Sequence, residues 1–421
     1  MTLKTLSPKR ELWLLLTLAG IQLSHILDFM IMMPLGPQFT RIFAITDAQF
    51  GMLVSAYTLA AGASGLLAAT YLDKVDRKKL LLTLYVLFGL ATLACGLAPT
   101  YSSLMLARVM AGMFGGVLSA LSQTIIGDVI PFERRGRAMG IVMTSFSVAT
   151  VAGVPLGLFL AAHFSWHAPF FGIAALVGVL AIGASITLPS LTAHLNASNK
   201  PSAWGGIQQV LSDPNHWKAF AFSALLMFAG FTVIPFLTIY LQSNVGWKAD
   251  QVPYVYLCGG LATFFTSRWV GIMADRKGKV FMFKIMAVLL TLPMVMSTLT
   301  AGLPVWAVLM VSTTFFVFMN GRMVPGMAII TSAANPALRG TFMALNSSVQ
   351  SASMGIAAFI GGMIISRDAQ NMVQHYWINA AVGTAASLAA FILVKHLKLY
   401  QTNTLTAQST ETTQQSPITK Q

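Results

Sequence analysis

Long apolar runs separated by short polar clusters make up most of this chain. A hydrocarbon core about 30 Å thick requires about 20 apolar residues for each spanning helix. Bounded by charged residues or by Pro, Asn and Asp clusters, runs of that length predict spans at 12–34, 48–70, 80–98, 103–126, 138–162, 169–188, 217–242, 251–274, 280–301, 304–331, 341–365 and 375–397. The pattern therefore predicts an all-α membrane protein with twelve transmembrane helices.

The longest polar stretch, 189–216, divides the predicted spans into two sets of six. We therefore expect an N-terminal half over 1–188, a linker over 189–216 and a C-terminal half over 217–397. The remaining residues, 398–421, are rich in Thr, Gln and Ser and contain almost nothing to bury. This composition predicts a disordered tail.

Composition excludes a soluble fold and offers no motif for an enzyme. Only 9% of the residues are charged, where a soluble protein has about 25%. The two cysteines, Cys95 and Cys258, lie in apolar runs, which excludes a disulfide framework and a Cys-based zinc site. Neither a G-x-x-x-x-G-K-[ST] loop nor an H-E-x-x-H helix occurs. We expect no enzymatic activity, no cofactor and no metal site.

The basic residues indicate how the chain is oriented. The formal net charge is +14, yet Arg41, Lys248 and Arg367 are the only loop Lys and Arg on the side opposite the N-terminus. Because cytoplasmic loops carry the excess of Lys and Arg, both termini and the linker are expected in the cytoplasm, with the protein in the inner membrane. Since the charge is spread over short loops as a topology signal, a nucleic-acid partner is excluded.

Two landmarks recur at nearly the same offset. Asp73 follows the second span and Asp275 follows the eighth, 202 residues later. Arg135-Gly136 precedes the fifth span and Arg339-Gly340 precedes the eleventh, 204 residues later. Each landmark holds the same place in its set of six spans, so we expect two pseudo-symmetric halves, as in transporters built from repeats.

The loop after each second span resembles the G-x-x-x-D-x-x-G-R-K motif of the major facilitator superfamily. The second copy keeps Gly271, Asp275 and Gly278, whereas the first has Ala69 and Asp76 where glycines are usual. The resemblance implies an inter-domain latch on the cytoplasmic side, formed by Asp73, Arg77, Lys78, Gly271, Asp275, Arg276 and Gly278. Simple topology signalling is the alternative, but it leaves the two matched aspartates unexplained.

Two further segments resemble motifs of the same family. Arg108-Val-Met-Ala-Gly112 resembles its helix 4 arginine motif, and Gly153-Val-Pro155-Leu-Gly157 resembles, in shortened form, the helix 5 motif of its proton-driven exporters. Together these segments imply the twelve-helix drug/proton antiporter branch, most similar to sugar-efflux or arabinose-efflux-like members.

Asp28 is the only carboxylate well inside a predicted span. An ionised carboxylate in a bilayer must be protonated, paired or facing water, and each of these states suits a proton-coupled carrier; a permanent packing role is the alternative. His25 lies one turn earlier on the same side, as a proton relay or a neutral hydrogen-bonding residue. Gln22 continues this stripe toward the expected substrate cavity.

Arg108 cannot readily lose its proton and must find an acceptor. In the resembling family this arginine approaches helix 1, which makes Asp28 its expected partner for proton coupling; a fixed ion pair is the alternative. Arg322 also lies in a span, nearer the cytoplasm, and serves either a gate or an anionic substrate group unless it snorkels to the interface. The expected substrate cavity also includes Asn320, Asn346 and Gln350, which could instead bond other helices.

These observations predict a secondary transporter that works by alternating access. The leading hypothesis is proton-driven export of a small organic solute, sugar-like, drug-like or a metabolite, by a monomer in contact with membrane lipid. Import by symport or facilitated diffusion of a metabolite or siderophore-like compound is the first alternative. A lipid-handling or sensory protein on the same fold is the second.

Overall fold

The computed structural model describes residues 8–68, 71, 75–192 and 203–400. In the first half the helices are α1 (Pro8–Ile31), α2 (Gly36–Ile42), α3 (Asp47–Ala68), α4 (Arg77–Gly96), α5 (Tyr101–Val129), α6 (Phe132–Val148), a π-helical turn (Ala149–Gly153), α7 (Val154–His163) and α8 (His167–Thr187). A short helix, α9 (Ala203–Ser212), lies within the predicted linker.

The second half repeats this helical organisation. It contains α10 (Pro214–Phe231), α11 (Ile234–Ser243), α12 (Val252–Lys277), α13 (Lys279–Met296), α14 (Val305–Ala333), α15 (Arg339–Ile364) and α16 (Tyr376–Leu393). An antiparallel pair of two-residue strands, β1 (Ser366–Arg367) and β2 (Val373–Gln374), joins α15 to α16. The prediction of an all-α membrane fold is confirmed.

Within the described ranges, eleven segments are long and apolar enough to cross a membrane. They match eleven of the twelve predicted spans, with α6, the π turn and α7 acting as one span and α10 with α11 as another. α12 holds the place of the remaining span and is 26 residues long, but it is not among the eleven. Its polar residues, including Arg268, lower its apolar character.

Glycines allow α3 and α5 to pack closely in the first half. α5 begins at a capping box formed by Thr100 and Ser103. A Cβ at Gly112 would lie 2.2 Å from the carbonyl oxygen of Tyr57, and one at Gly116 would lie 2.5 Å from that of Ala61. Such a distance is possible only without a side chain, as in the small-xxx-small contacts of membrane helices.

The two halves meet mainly through α3 and α15, which run antiparallel. A Cβ at Gly51 would lie 2.6 Å from the carbonyl oxygen of Ala358, and the Ser55 hydroxyl donates to the carbonyl of Gly355. A second contact joins α12 to the π turn and α7, where Gly260 faces the backbone at Thr150. These two contacts bring both halves around one central space.

The end of the bundle that holds Asp47 and Arg367 is called the outer end, after the expected topology, and the opposite end is the inner end. Residues 193–202 of the predicted linker and residues 401–421 of the predicted tail lie outside the described residues. Lys398 and Tyr400, which open the predicted tail, bond instead to Asn215 and to the carbonyl of Ser332.

Candidate functional site

A cavity of about 420 Å³ lies between the halves. Residues from α1, α6, the π turn, α10, α11, α12, α14 and α15 line it. Its wall is predominantly apolar and rich in methionine, with Met30, Met33, Met143, Met227, Met319, Met323 and Met354. Flexible thioether side chains of this kind adapt to differently shaped ligands. No Asp, Glu, Lys or Arg is among the described residues that line the cavity.

Four of the predicted site residues lie on this wall, and three of them are amides bonded to other groups. Gln22 exchanges hydrogen bonds with Ser119 at 2.6 and 2.9 Å. Gln350 donates to the hydroxyl of Ser223 at 2.9 Å, and Asn320 donates to a backbone carbonyl of its own helix. Gln22 and Gln350 therefore join two helices each, whereas Asn320 bonds within its own helix, and all three present part of their surface to the cavity.

His25 is the fourth, and it differs from the amides. It lines the cavity, and both its ring nitrogens are buried without a hydrogen-bond partner among the described residues. Its ring centroid lies 6.1 Å from that of Tyr57 and 6.0 Å from that of Phe88. Gly115 provides the space for this ring, since a Cβ there would lie 2.7 Å from His25 Cδ2.

Asp28 and Arg108 form an ion pair behind His25. Arg108 Nη1 lies 2.9 Å from Asp28 Oδ2, and both side chains are fully buried. The guanidinium carbon also lies 4.2 Å from the centre of the Tyr57 ring, in a cation–π contact. His25, Asp28, Tyr57 and Arg108 are referred to below as the buried charge cluster. The sequence did not indicate Tyr57, because its role depends on the close approach of α3 and α5.

The cluster is incompletely satisfied. Asp28 Oδ1 and Arg108 Nε and Nη2 have no hydrogen-bond partner among the described residues. A carboxylate with one free oxygen can accept a proton without first losing every contact. Neither Asp28 nor Arg108 lines the cavity, whereas His25, one turn before Asp28 on α1, does.

Arg322 is fully buried as well, but in different surroundings. Its Nη2 donates to the carbonyl of Leu226 at 2.8 Å and lies 3.2 Å from Met319 Sδ, and its Nη1 lies 3.4 Å from the Ser387 hydroxyl. No carboxylate pairs with it among the described residues. Neither Arg322 nor the buried Asn346 lies on the cavity wall.

The predicted helix 5 motif coincides with a change in helix geometry. Pro155 has no N–H to donate to the preceding turn, and the π-helical turn ends just before it. A Cβ at Gly153 would lie 2.5 Å from Leu27, and one at Gly157 would lie 2.5 Å from Ile31. The motif therefore packs this span closely against α1, which carries His25 and Asp28.

An ion pair closes the outer end between the halves. Arg367 donates to both carboxylate oxygens of Asp47 at 2.8 Å. Neither residue was predicted as a functional residue, since Arg367 was counted only as an outer basic residue. Opposite charges at the outer ends of the second and eleventh spans were the signal that would have found the pair.

The predicted inner latch links no described residues of opposite halves. Asp73 lies outside the described residues. Arg77 pairs with Asp128, and Lys78 donates to the carbonyl of Ser185, all in the first half. Asp275 and Arg276 are exposed and form no ion pair within the described ranges. Gly271 lies within α12 and Gly278 follows it. Among the described residues, the outer end is thus the one at which an ion pair joins the halves.

Known proteins share both the sequence pattern and the fold. A family model described as Major Facilitator Superfamily matches residues 18–358. The uncharacterized MFS-type transporter YtbD of Bacillus subtilis is 27% identical over 80% of this chain and 84% of its own. A protein described as a probable sugar efflux transporter, from Pasteurella multocida, is 23% identical over 84% of this chain and 85% of its own.

Among solved structures, that of a D-xylose-proton symporter superposes with a TM-score of 0.74. It is 15% identical, and the match covers 91% of this chain and 97% of the other. At this identity the likeness concerns the fold. The family model, the relatives and the two facing halves agree, and the chain is a transporter rather than an enzyme. It belongs to the major facilitator superfamily.

Proposed function

We propose that this protein is a proton-coupled exporter of small organic solutes. The observation that carries the proposal is the buried Asp28–Arg108 ion pair, in which Asp28 lies one helical turn after the cavity-lining His25. A carboxylate in this position exchanges a proton at a modest energetic cost, because its cation and its desolvated surroundings act on its charge in opposite directions.

Protonation of Asp28 removes the negative charge of the ion pair. The positive charge of Arg108 is then stabilised by its cation–π contact with Tyr57 and by solvent that enters from the cavity. Because His25 has two unpartnered ring nitrogens, it can pass a proton between the cavity and Asp28. The close packing of α1 against Gly153 and Gly157 carries a shift of α1 to the span that contacts the opposite half. Protonation at one site can thus bias the arrangement of the halves.

Alternating access accounts for the two ends of the bundle. The Asp47–Arg367 pair and the α3–α15 contact hold the outer end closed in this conformation. Asp275 is exposed at the inner end. The latch around Asp73 and Asp275 forms when the outer end opens, so the two ends exchange their contacts during the cycle.

Two observations favour export. The segment from Gly153 to Gly157 is similar to a motif of proton-driven exporters, and one relative is described as a probable sugar efflux transporter. A sugar itself is a poor match for the cavity, because its many hydroxyl groups need more hydrogen-bond partners than the few polar side chains of a predominantly apolar wall provide.

An inner-membrane location with cytoplasmic termini completes the proposal. Single cysteines introduced at Lys4, Ser198 and Thr412 should resist a membrane-impermeant thiol reagent in intact cells and react after the cells are opened. Lys248→Cys, in a predicted outer loop, is the matched control and should react in intact cells. Reaction of any of the first three from outside would overturn this topology.

The test of function uses purified protein in proteoliposomes with an imposed pH gradient. A labelled sugar, a neutral aromatic compound, an organic anion and an organic cation are supplied in turn while the internal pH is recorded. The proposal predicts that one class moves against its own gradient and dissipates the pH gradient. Movement only down the solute gradient, with no pH change, would support a facilitator; no movement of any class would favour a sensory or lipid-handling role.

A further inference from the structure

A buried guanidinium without a carboxylate lies directly behind the cavity wall. Arg322 is fully buried, and its Nη2 contacts Leu226 and Met319, both of which line the cavity. Its Nε has no partner within the described residues. An arginine in a low-dielectric interior carries its charge permanently and is stabilised most by an anion.

The charges around the cavity favour an anion over a cation. The described wall residues include no ionised side chain, and Asp28 neutralises Arg108 in the first half. Arg322, which contacts two wall residues, therefore contributes an unbalanced positive charge beside the wall. In surroundings of low dielectric constant, one such charge attracts an anion and repels a cation far more strongly than it would in water.

Met319 stands between Arg322 and the cavity. Its sulfur lies 3.2 Å from Arg322 Nη2, and its methyl group occupies the space over Gly230, where an added Cβ would lie 1.7 Å from Met319 Cε. Methionine has three rotatable side-chain bonds and changes rotamer at little cost. Because Met319 both lines the cavity and contacts Arg322, its rotamer controls access from the cavity to the guanidinium on this side.

We propose that the cavity takes amphipathic organic anions, with the apolar body against the methionine-rich wall and the anionic group paired with Arg322 after Met319 turns aside. This inference rests on the proposed transport function and names its substrate class. A planar guanidinium suits carboxylate, sulfonate and phosphate groups, each of which offers two oxygens to its fork.

Binding of a matched set of probes to the purified transporter tests the inference without any gradient. The probes are naphthalenesulfonate, naphthalenesulfonamide and the naphthyl trimethylammonium cation, which share one apolar body and differ in charge. The sulfonate stays ionised at every usable pH, so its binding reports the protein's charges. From the strength of a charge-assisted hydrogen bond, we expect the sulfonate to bind about tenfold or more tightly than the sulfonamide, and the cation to bind most weakly.

Variants at two arginines of the second half show which positive charge causes the preference for the sulfonate over the sulfonamide. Arg322→Gln should abolish the preference for the sulfonate, because sulfonate binding weakens more than sulfonamide binding; sulfonamide binding that remains measurable shows that the variant is folded. Arg322→Lys should retain part of the preference, since it keeps the charge but loses the fork. Arg268→Gln is the control, because it removes a positive charge from an exposed position of α12 that does not line the cavity.

Several results would overturn the inference. They are equal affinity for sulfonate and sulfonamide in the wild type, tightest binding of the cation, or an unchanged sulfonate preference in Arg322→Gln. Each of these concerns the charge of the ligand and leaves proton coupling untouched. Conversely, a preference for the sulfonate without pH-dependent transport would contradict proton-coupled export but would still support the preference for anionic ligands.

Discussion

Within the described residues, each half has one arginine that is completely buried inside a span, Arg108 or Arg322, and these two arginines have different partners. Arg108 in the first half lies 2.9 Å from the Asp28 carboxylate and over the Tyr57 ring. Among the described residues, the polar contacts of Arg322 in the second half are a backbone carbonyl, a hydroxyl and a thioether sulfur. Arg108 is thus part of an ion pair with no net charge on one side of the cavity, whereas Arg322 carries an uncompensated positive charge on the other.

From this difference we infer different roles for the two halves, proton exchange in the first and anion binding in the second. A paired carboxylate can gain and lose a proton, which suits the first half for coupling. An arginine without a carboxylate cannot titrate in the usual range, but it can accept an anion from outside the protein. The comparison predicts that substitutions at equivalent-looking positions of the two halves have unequal effects.

The largest expected difference in stability is between Arg108→Gln and Arg322→Gln. Arg108→Gln leaves the Asp28 carboxylate buried without its cation and should destabilise the protein by about 3 kcal/mol. Arg322→Gln leaves no buried charge behind and should cost no more than about 1 kcal/mol for the lost hydrogen bonds. Thermal unfolding of the purified variants in one detergent measures both.

The double variant Asp28→Asn/Arg108→Gln is the control for this prediction. It removes both charges and should recover much of the stability lost in Arg108→Gln, because two neutral amides replace the pair. Equal losses for Arg108→Gln and Arg322→Gln would show that the two arginines do not differ in the way their contacts indicate.

The glycine four residues after each arginine provides the next comparison. A Cβ at Gly112 would lie 2.2 Å from the backbone oxygen of Tyr57, whereas one at Gly326 would lie 2.9 Å from the end of the Leu226 side chain. Backbone cannot move aside as a leucine side chain can. Gly112→Ala should therefore cost about 2 kcal/mol and Gly326→Ala less than about 1 kcal/mol, as measured by thermal unfolding.

Gly178→Ala checks the scale of this measurement. An added Cβ at Gly178, on α8, meets nothing within 4 Å. Because alanine also favours the helix over glycine, this variant should be at least as stable as the wild type. A loss for Gly178→Ala as large as that for Gly112→Ala would remove the steric explanation.

Effects smaller than those at Arg108 and Gly112 are expected at the inner ends, where the two copies of the family motif differ. Asp76 stands where a glycine is usual, and its carboxylate accepts from the amides of Lys78 and Leu191 at 2.9 and 3.1 Å. Gly278, in the second copy, has a φ of +98°, which side chains rarely adopt. Asp76→Ala and Gly278→Ala should each cost about 1 kcal/mol, one through a lost cap and the other through backbone strain.

Acid pH separates these two small effects. Desolvation acts to raise the pKa of Asp76, but hydrogen bonds from Leu191, Lys78 and Ser190 outweigh it and lower the pKa below its ordinary value. The contribution of Asp76 to the free energy of unfolding is therefore complete at a pH above the ordinary pKa of an aspartate. It is lost as the pH falls through the lowered pKa of Asp76 in the folded protein. The cost of Asp76→Ala should shrink in acid, whereas the cost of Gly278→Ala should not change.

The sequence was sufficient for the helices and for the buried charges, because each signal is local. A run of apolar residues predicts its own span, and Asp28, Arg108 and Arg322 stand out as charges within such runs. Contacts between residues that are far apart in the sequence could not be predicted in this way, because no short stretch of sequence indicates them. Tyr57 depends on the α3–α5 contact, Arg77 meets Asp128 through tertiary packing, and the short helix α2 lies between predicted spans.

The central claim is that Asp28 carries the coupled proton, and Asp28→Asn tests it most directly because asparagine mimics the neutral acid without titrating. Proteoliposomes are loaded with whichever naphthyl probe binds best, and two fluxes are compared in the same preparation. The account predicts that Asp28→Asn loses accumulation driven by a pH gradient but retains exchange of probe between equal concentrations on both sides. If Asp28→Asn kept the pH-gradient dependence of the wild type, Asp28 would be a structural residue and the account would be contradicted.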